Sequence, residues 1–363
     1  MRITIFCGDS HESWSPKNEK TGIGGSEEAV INISRELVKL GNDVTVYNRC
    51  EDDAGEYDGV KYVDFLDYSG EQTDIFVGWR SLMPWKMGKN YKIGYQWLHD
   101  TTPEEEVINS LNLGASKVMV LSKWHRRLYG NLENRFVYLT RNGVNTSQFD
   151  QKVERVPHRI FYGSSYDRGL KELLENWPKI KLAVPDATLH IAYGWNTWES
   201  IAKKQGDEGI EAFKNVKETL EQMMQQEGIT HLGRISHEEV AKEMLEADVW
   251  GYPTWWPEIS CITAIKAQVA GAIPCVIPTA AVAETVRYGF KTNRGYYNSV
   301  QGGVAMPEEA MEQWTNAAIA ILRRPESEKA PLREQMMKWA REYSDWSTIA
   351  KEWNEEFTNA LLN

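Results

Sequence analysis

Along this chain, short apolar runs alternate with longer stretches in which apolar residues return every third or fourth position. That is the rhythm of parallel strands joined by covering helices. Runs at 2–7, 43–48, 74–78, 91–98, 117–121 and 136–139 predict the strands of one sheet. A second series at 159–162, 187–193, 230–232, 249–252 and 272–276 predicts those of another. Between the first two strands, Ala29, Val30, Ile33, Leu37 and Leu40 share a helical face, with Ser26 as cap, Glu27 and Glu28 in the first turn and Gly41 as stop. Leu170, Leu173, Leu174 and Trp177 mark another helix, and Ile210, Phe213, Val216, Leu220 and Met223 a third. The stretch 259–270 reads as a helix of small and branched residues whose one charge is Lys266, buried against a sheet. From Glu308 onward come two amphipathic helices, one ending near Arg324 and one over about 332–342, and then SDWSTIAKEWNEEFTNALL closes the chain.

Composition narrows this picture. A chain of 363 residues exceeds what one core supports, so two domains of roughly 150 to 180 residues each are expected. With 42% hydrophobic and 26% charged residues it reads as a globular protein, and its net charge of −11 argues against holding nucleic acid by its phosphates. Cys7, Cys50, Cys261 and Cys275 stand singly in apolar surroundings, the usage of buried thiols in a reducing compartment, and a cytoplasmic location is expected. The amino terminus turns polar too early for a signal peptide, and no apolar run reaches the length of a membrane span.

Candidate chemistry lies where strands end. Glu258 follows the strand at 249–252 and precedes the predicted helix, so it reads either as a cap for that helix or as a carboxylate aimed at a ligand hydroxyl. Arg168 and Lys171 open a helix, where cations oppose the helix dipole unless an anion is bound beside them. His99 and Asp100 end the strand at 91–98, where open parallel sheets take ligands; a satisfied structural histidine is the plain alternative. Gly24 and Gly25 enter the first helix without the spacing of a dinucleotide fingerprint or a Walker loop. No Asp stands two residues from another, and no cluster has metal-ligand spacing, so no metal cofactor is expected. The 15 Trp and 16 Tyr suit core packing, with sugar stacking open to those in a cleft.

In motif order the chain resembles the retaining glycosyltransferases of the GT-B fold, in particular glycosyltransferase family 4. The segment that carries the resemblance is Glu258, ISCITAI, Lys266, AQVAG and AIPCV, followed by AVAE with Glu284. Gly271, Pro274 and Glu284 fit the family frame, whereas Lys266 stands where the family usually has a Glu that binds the nucleotide ribose. GG followed by Ser and Glu at Gly24, Gly25 and Glu27, SKWHRRLYG, RNGVNTSQFD, RG at Arg168 in place of KG, and GRISHEEVAKEMLEADVW match further motifs.

The resemblance implies an α/β, GT-B fold: two Rossmann-like parallel-sheet domains facing a cleft, with a C-terminal helix crossing back. It places an acceptor-side domain at 1–153, a nucleotide-sugar donor domain at 154–340 and the returning helix at 341–363. It implies sugar transfer from a UDP- or GDP-sugar to an acceptor (a glycan, a lipid-linked sugar or another) with retention of anomeric configuration. Glu258, His99 and Arg168 would be catalytic. Gly24, Gly25, Glu27, Arg168, Lys171, Arg234, Glu258, Ile259, Ser260 and Lys266 would bind the donor, without a metal. Peripheral membrane contact is compatible with this reading. Two other readings stay open: a sugar-nucleotide epimerase, which needs no acceptor, and a non-catalytic nucleotide- or carbohydrate-binding protein, motivated by Lys266.

Overall fold

The computed structural model describes residues 1–87, 90–295 and 307–362. The chain divides into two compact units, one of residues 1–19, 23–145 and 344–363, the other of residues 20–22 and 146–343.

The first unit holds eight strands: β1 (Arg2–Gly8), β2 (Asp43–Asn48), β3 (Gly55–Tyr57), β4 (Val60–Asp64), β5 (Thr73–Trp79), β6 (Tyr91–Trp97), β7 (Lys117–Val120) and β8 (Val137–Leu139). They form one sheet in the order β3-β4-β2-β1-β5-β6-β7-β8, parallel throughout except for β3 against β4. Helix α1 (Gly25–Lys39) joins β1 to β2, α2 (Glu104–Leu113) joins β6 to β7, and the short α3 (Lys123–Arg127) follows β7. Apolar residues fill both faces of β1, as a central parallel strand requires. The β3–β4 hairpin lies between the predicted strands at 43–48 and 74–78, where the sequence reading placed no strand. Its turn, Asp58-Gly59, has both residues at positive φ (53° and 78°), the geometry of a two-residue hairpin loop.

The second unit carries β9 (Arg159–Tyr162), β10 (Thr188–Ala192), β11 (Ile229–Gly233), β12 (Val249–Tyr252), β13 (Ile273–Val276) and β14 (Phe290–Lys291) in an all-parallel sheet ordered β11-β10-β9-β12-β13-β14. Around it run α4 (Leu170–Ala183), α5 (Asn196–Lys204), α6 (Gly206–Met223), α7 (His237–Glu246), α8 (Ile262–Ala270), α9 (Val282–Thr285), α10 (Glu308–Arg323) and α11 (Glu326–Ser344). Asp248, at the entrance of β12, is buried between Lys329 Nζ at 2.7 Å and the Arg333 guanidinium, which ties α11 to the sheet. The final helix α12 (Trp346–Leu362) belongs to the first unit, where Trp353 meets Trp97 at 4.8 Å between ring centroids and Glu352 takes both ends of the Arg141 fork.

Three helix starts differ from expectation, and one of them is α11, which begins at Glu326 and not near 332. Helix α1 begins at Gly25 with Gly24 as its cap, so Ser26 lies inside the first turn and not at the cap position. Helix α8 begins only at Ile262, with Cys261 in an extended conformation as its cap. Glu258 therefore lies in a loop ahead of the helix and does not cap it. Among the described residues no helix is long and apolar enough to cross a membrane.

Candidate functional site

In an open parallel sheet the connections leave to opposite sides where strand order reverses, and this opens a crevice at the carboxyl ends of the two strands concerned. In the second unit that point lies between β9 and β12. Arg168 comes from the loop after β9, and Glu258 from the loop after β12. Arg168 Nη1 donates to Glu258 Oε1 at 2.8 Å, and Tyr252 Oη donates to the same oxygen at 2.7 Å. The Arg168 guanidinium lies 4.8 Å from the Trp256 ring centre, a cation–π contact that holds its plane. Burial presses against the Arg168 charge, but Glu258, then Tyr252 and Asp167, outweigh it and hold the guanidinium firmly protonated. Burial and the adjacent Glu258 carboxylate push the Tyr252 hydroxyl well above its ordinary value, so it stays a donor.

Local backbone sets this geometry. Gly169, the cap of α4, has φ of 101°, and a Cβ there would stand 2.2 Å from the Pro253 carbonyl oxygen. Only glycine lets the loop after β9 pass so close to the loop after β12. The backbone N–H of Ala281 donates to the Glu258 carbonyl at 2.9 Å, fixing the residue from the loop after β13.

The other expected donor-side residues are placed more variously. Lys171 is exposed in the first turn of α4, 3.7 Å from Glu175, as on a solvated helix face. Arg234 Nη2 donates to the Gly22 carbonyl at 2.9 Å. Ile259 is buried and Ser260 half-buried beside Glu258, and Lys266 is buried inside α8 with 6% exposure. Gly271 ends α8 in the left-handed conformation, Pro274 is buried in β13, and Glu284 is exposed in α9.

The first unit has its own crevice, between β1 and β5. Gly24 and Gly25 are exposed at the start of α1, and the Glu27 carboxylate folds back so that a Cβ on Gly24 would meet its Oε2 at 2.2 Å. Burial raises the Glu27 carboxyl, and Arg80 opposes that rise. His99 is buried between Trp97 and Trp79, its ring 4.4 Å and 5.7 Å from theirs, and its Nε2 has no hydrogen-bond partner among the described residues. Burial, then Arg80 and His125, hold His99 well below its ordinary value, so it is neutral at physiological pH.

Sequence reasoning did not single out Tyr252, Trp256 or Arg80, which the structure places against the candidate residues Glu258, Arg168 and Glu27. Tyr252 falls within the predicted strand at 249–252, and Trp256 is one of the tryptophans assigned to core packing or sugar stacking. A signal for Arg80 existed: it is the first charged residue after DIFVGW, at a strand end. Among the described residues no group of three or more His, Cys, Asp and Glu could hold a metal ion.

No protein-family model matches the sequence, and no curated protein matches it. Solved structures do. The chain superposes on sucrose-phosphate synthase from Thermosynechococcus elongatus with a TM-score of 0.71 and 14% identity, over 99% of this chain and 98% of that one. Anabaena HepE, solved in complex with UDP and glucose, gives 0.68 and 13% identity over 98% and 99%. The catalytic domain of starch synthase IV from Arabidopsis thaliana, bound to ADP and acarbose, gives 0.67 and 11% identity over 99% of both chains. Likeness at such identity is a likeness of architecture, and the chain has the α/β fold of the GT-B glycosyltransferases, built from two Rossmann-like units.

Proposed function

We propose that this protein is a glycosyltransferase that moves a sugar from a nucleoside diphosphate sugar, a UDP- or GDP-sugar, to an acceptor with retention of anomeric configuration. The observation that carries this reading is the convergence of Arg168 and Tyr252 on one oxygen of Glu258, at the strand-order reversal of the second sheet. Both bonds go to Oε1, so Oε2 is the atom offered to sugar hydroxyls. Arg168, oriented by Glu258 and Trp256, meets the negative charge that grows on the departing diphosphate. A donor already positioned where charge develops lowers the barrier more than most other devices an enzyme has. Lys171 adds a mobile cation from the first turn of α4, Arg234 and the backbone at Ile259 and Ser260 contribute to nucleotide binding, and no metal ion is required. HepE, with UDP and glucose bound on the same fold, is consistent with this donor class.

Incubation with a panel of UDP- and GDP-sugars, with and without a chelator, tests the reading. Transfer that survives chelation and gives a product of the donor's anomeric configuration by proton NMR is expected. Lys266, buried in α8, favours a second reading as a non-catalytic nucleotide-binding protein. Nucleotide binding with no turnover of any donor would select it.

A further inference from the structure

Within the second unit, the loop that carries Trp256 and Glu258 is tied at three points to the loop after β13. The paired residues of β12 and β13 end at Tyr252 and Val276. Beyond them the Ile277 N–H donates to the Tyr252 carbonyl at 3.4 Å, as a parallel ladder would continue. The next residue, Pro278, has no N–H to give, and the Thr279 N–H turns back to the Ile277 carbonyl at 2.8 Å. A side chain makes the next rung instead: Thr279 Oγ1 donates to the Thr254 carbonyl at 2.9 Å. The third tie is the Ala281 N–H on the Glu258 carbonyl at 2.9 Å. Between the last two ties Ala280 has φ of 52°, a left-handed conformation costing about 1 kcal/mol or more in a non-glycine residue, which persists only where the surroundings impose it. Gly295 lies against the same turn, where a Cβ would stand 2.2 Å from the Pro278 carbonyl oxygen and 2.7 Å from the Thr279 Cα.

We propose that Thr279 is a positioning residue for the corner formed by Arg168, Glu258 and Trp256, acting through Thr254. Both threonines are fully buried, so water does not compete for the bond between them. The Thr254 carbonyl takes the Thr279 hydroxyl, and the Thr254 hydroxyl oxygen in turn takes the Trp256 N–H at 3.0 Å. The Trp256 carbonyl accepts the Glu258 N–H at 2.9 Å, while its ring lies against the Arg168 guanidinium. A shift of Thr254 is therefore passed on to the ring that orients the cation and to the backbone that carries the carboxylate. The strained Ala280 keeps the two ties on either side of it in register with that loop.

The effect on turnover rests on the glycosyltransferase reading, whereas the effect on the loop does not. The test compares Thr279→Val, which keeps the shape and removes the hydroxyl, with Thr279→Ser, which keeps the hydroxyl. Hydrogen–deuterium exchange followed by mass spectrometry reads the amides of residues 254–258. In Thr279→Val they are expected to exchange about 3- to 10-fold faster, the factor that follows from losing one neutral hydrogen bond, while β9 and β12 exchange as in the parent. Thr279→Ser is expected to restore the parental rate. The kcat for sugar transfer is expected to fall by a similar factor in Thr279→Val with the donor's KM nearly unchanged, because the groups that move are those facing the charge of the transition state, and to recover in Thr279→Ser. Parental exchange in the loop of Thr279→Val overturns the inference. So does faster exchange spread over the whole second unit, which would leave Thr279 a stability residue only, and so does a loss in Thr279→Ser as large as in Thr279→Val. A loosened loop with parental kcat also overturns it. If the parent transfers no sugar, the glycosyltransferase reading fails separately, and the exchange comparison alone decides whether Thr279 holds the loop.

Discussion

Arg168 Nη1 sits 2.8 Å from Glu258 Oε1, joining two loops ninety residues apart in sequence across the strand-order reversal of the second sheet. Neither residue alone distinguishes a site from a surface. Together, with Tyr252 on the same oxygen and Trp256 beneath the guanidinium, they form a rigid polar corner at the place where α/β sheets bind ligands.

Glu258→Gln keeps the side-chain shape and an acceptor for Tyr252 while removing the charge. Transfer is expected to fall by about 100-fold or more, the scale of losing one preorganised electrostatic contact. Circular dichroism should show an unchanged fold. Near-normal turnover in the folded variant would take Glu258 out of the site.

Arg168→Ala is expected to weaken nucleoside diphosphate binding by about 1.5 to 3 kcal/mol, the range for a charge-assisted hydrogen bond. Isothermal calorimetry reads this directly. An affinity equal to the parent's would reduce Arg168 to a structural partner of Glu258.

Lys266 brings an ammonium group into a helix buried on most sides, at the position where the resembled family has an acceptor of ribose hydrogen bonds. A lysine can only donate. If its charge supports the bound diphosphate, Lys266→Ala lowers donor affinity, and Lys266→Glu fails to improve diphosphate binding although it regains a ribose acceptor. Titration with nucleoside diphosphate and with the bare nucleoside separates the two contributions, and equal donor binding by Lys266→Ala would refute the role.

Stability is expected to depend on pH through His125. This side chain is fully buried, takes the Leu121 amide on Nδ1 at 3.2 Å and faces the Tyr129 hydroxyl with Nε2 at 3.2 Å. Burial pushes its pKa down to about 4, with Asp100 opposing. Its folded-state pKa is below the unfolded one, so its contribution is complete above about pH 6.5 and is lost as pH falls toward 4, with a total on the order of 3 kcal/mol. Urea unfolding at pH 7 and pH 5 should show the fall. His125→Gln should reduce it, leaving the part of the same sign that buried His99 contributes, and an identical pH dependence in that variant would assign the effect elsewhere.

Period and composition by themselves determined the parallel α/β character and most strands, because strands buried on both faces must be apolar runs and their connecting helices must be amphipathic. The loops expected to carry chemistry, GG before α1, RG before α4 and PE before α8, were visible as local residue types, but it was the resemblance in motif order that singled them out. The β3–β4 hairpin escaped because its strands are acidic and short, although Asp58-Gly59 carried the turn signal. Only the tertiary structure decided what the charged residues do. Glu258 was open to reading as a helix cap until α8 proved to start at Ile262, and it became a partner of Arg168 only when β9 and β12 were laid side by side. Such pairings follow from strand order, and strand order is a long-range property that no window of sequence contains.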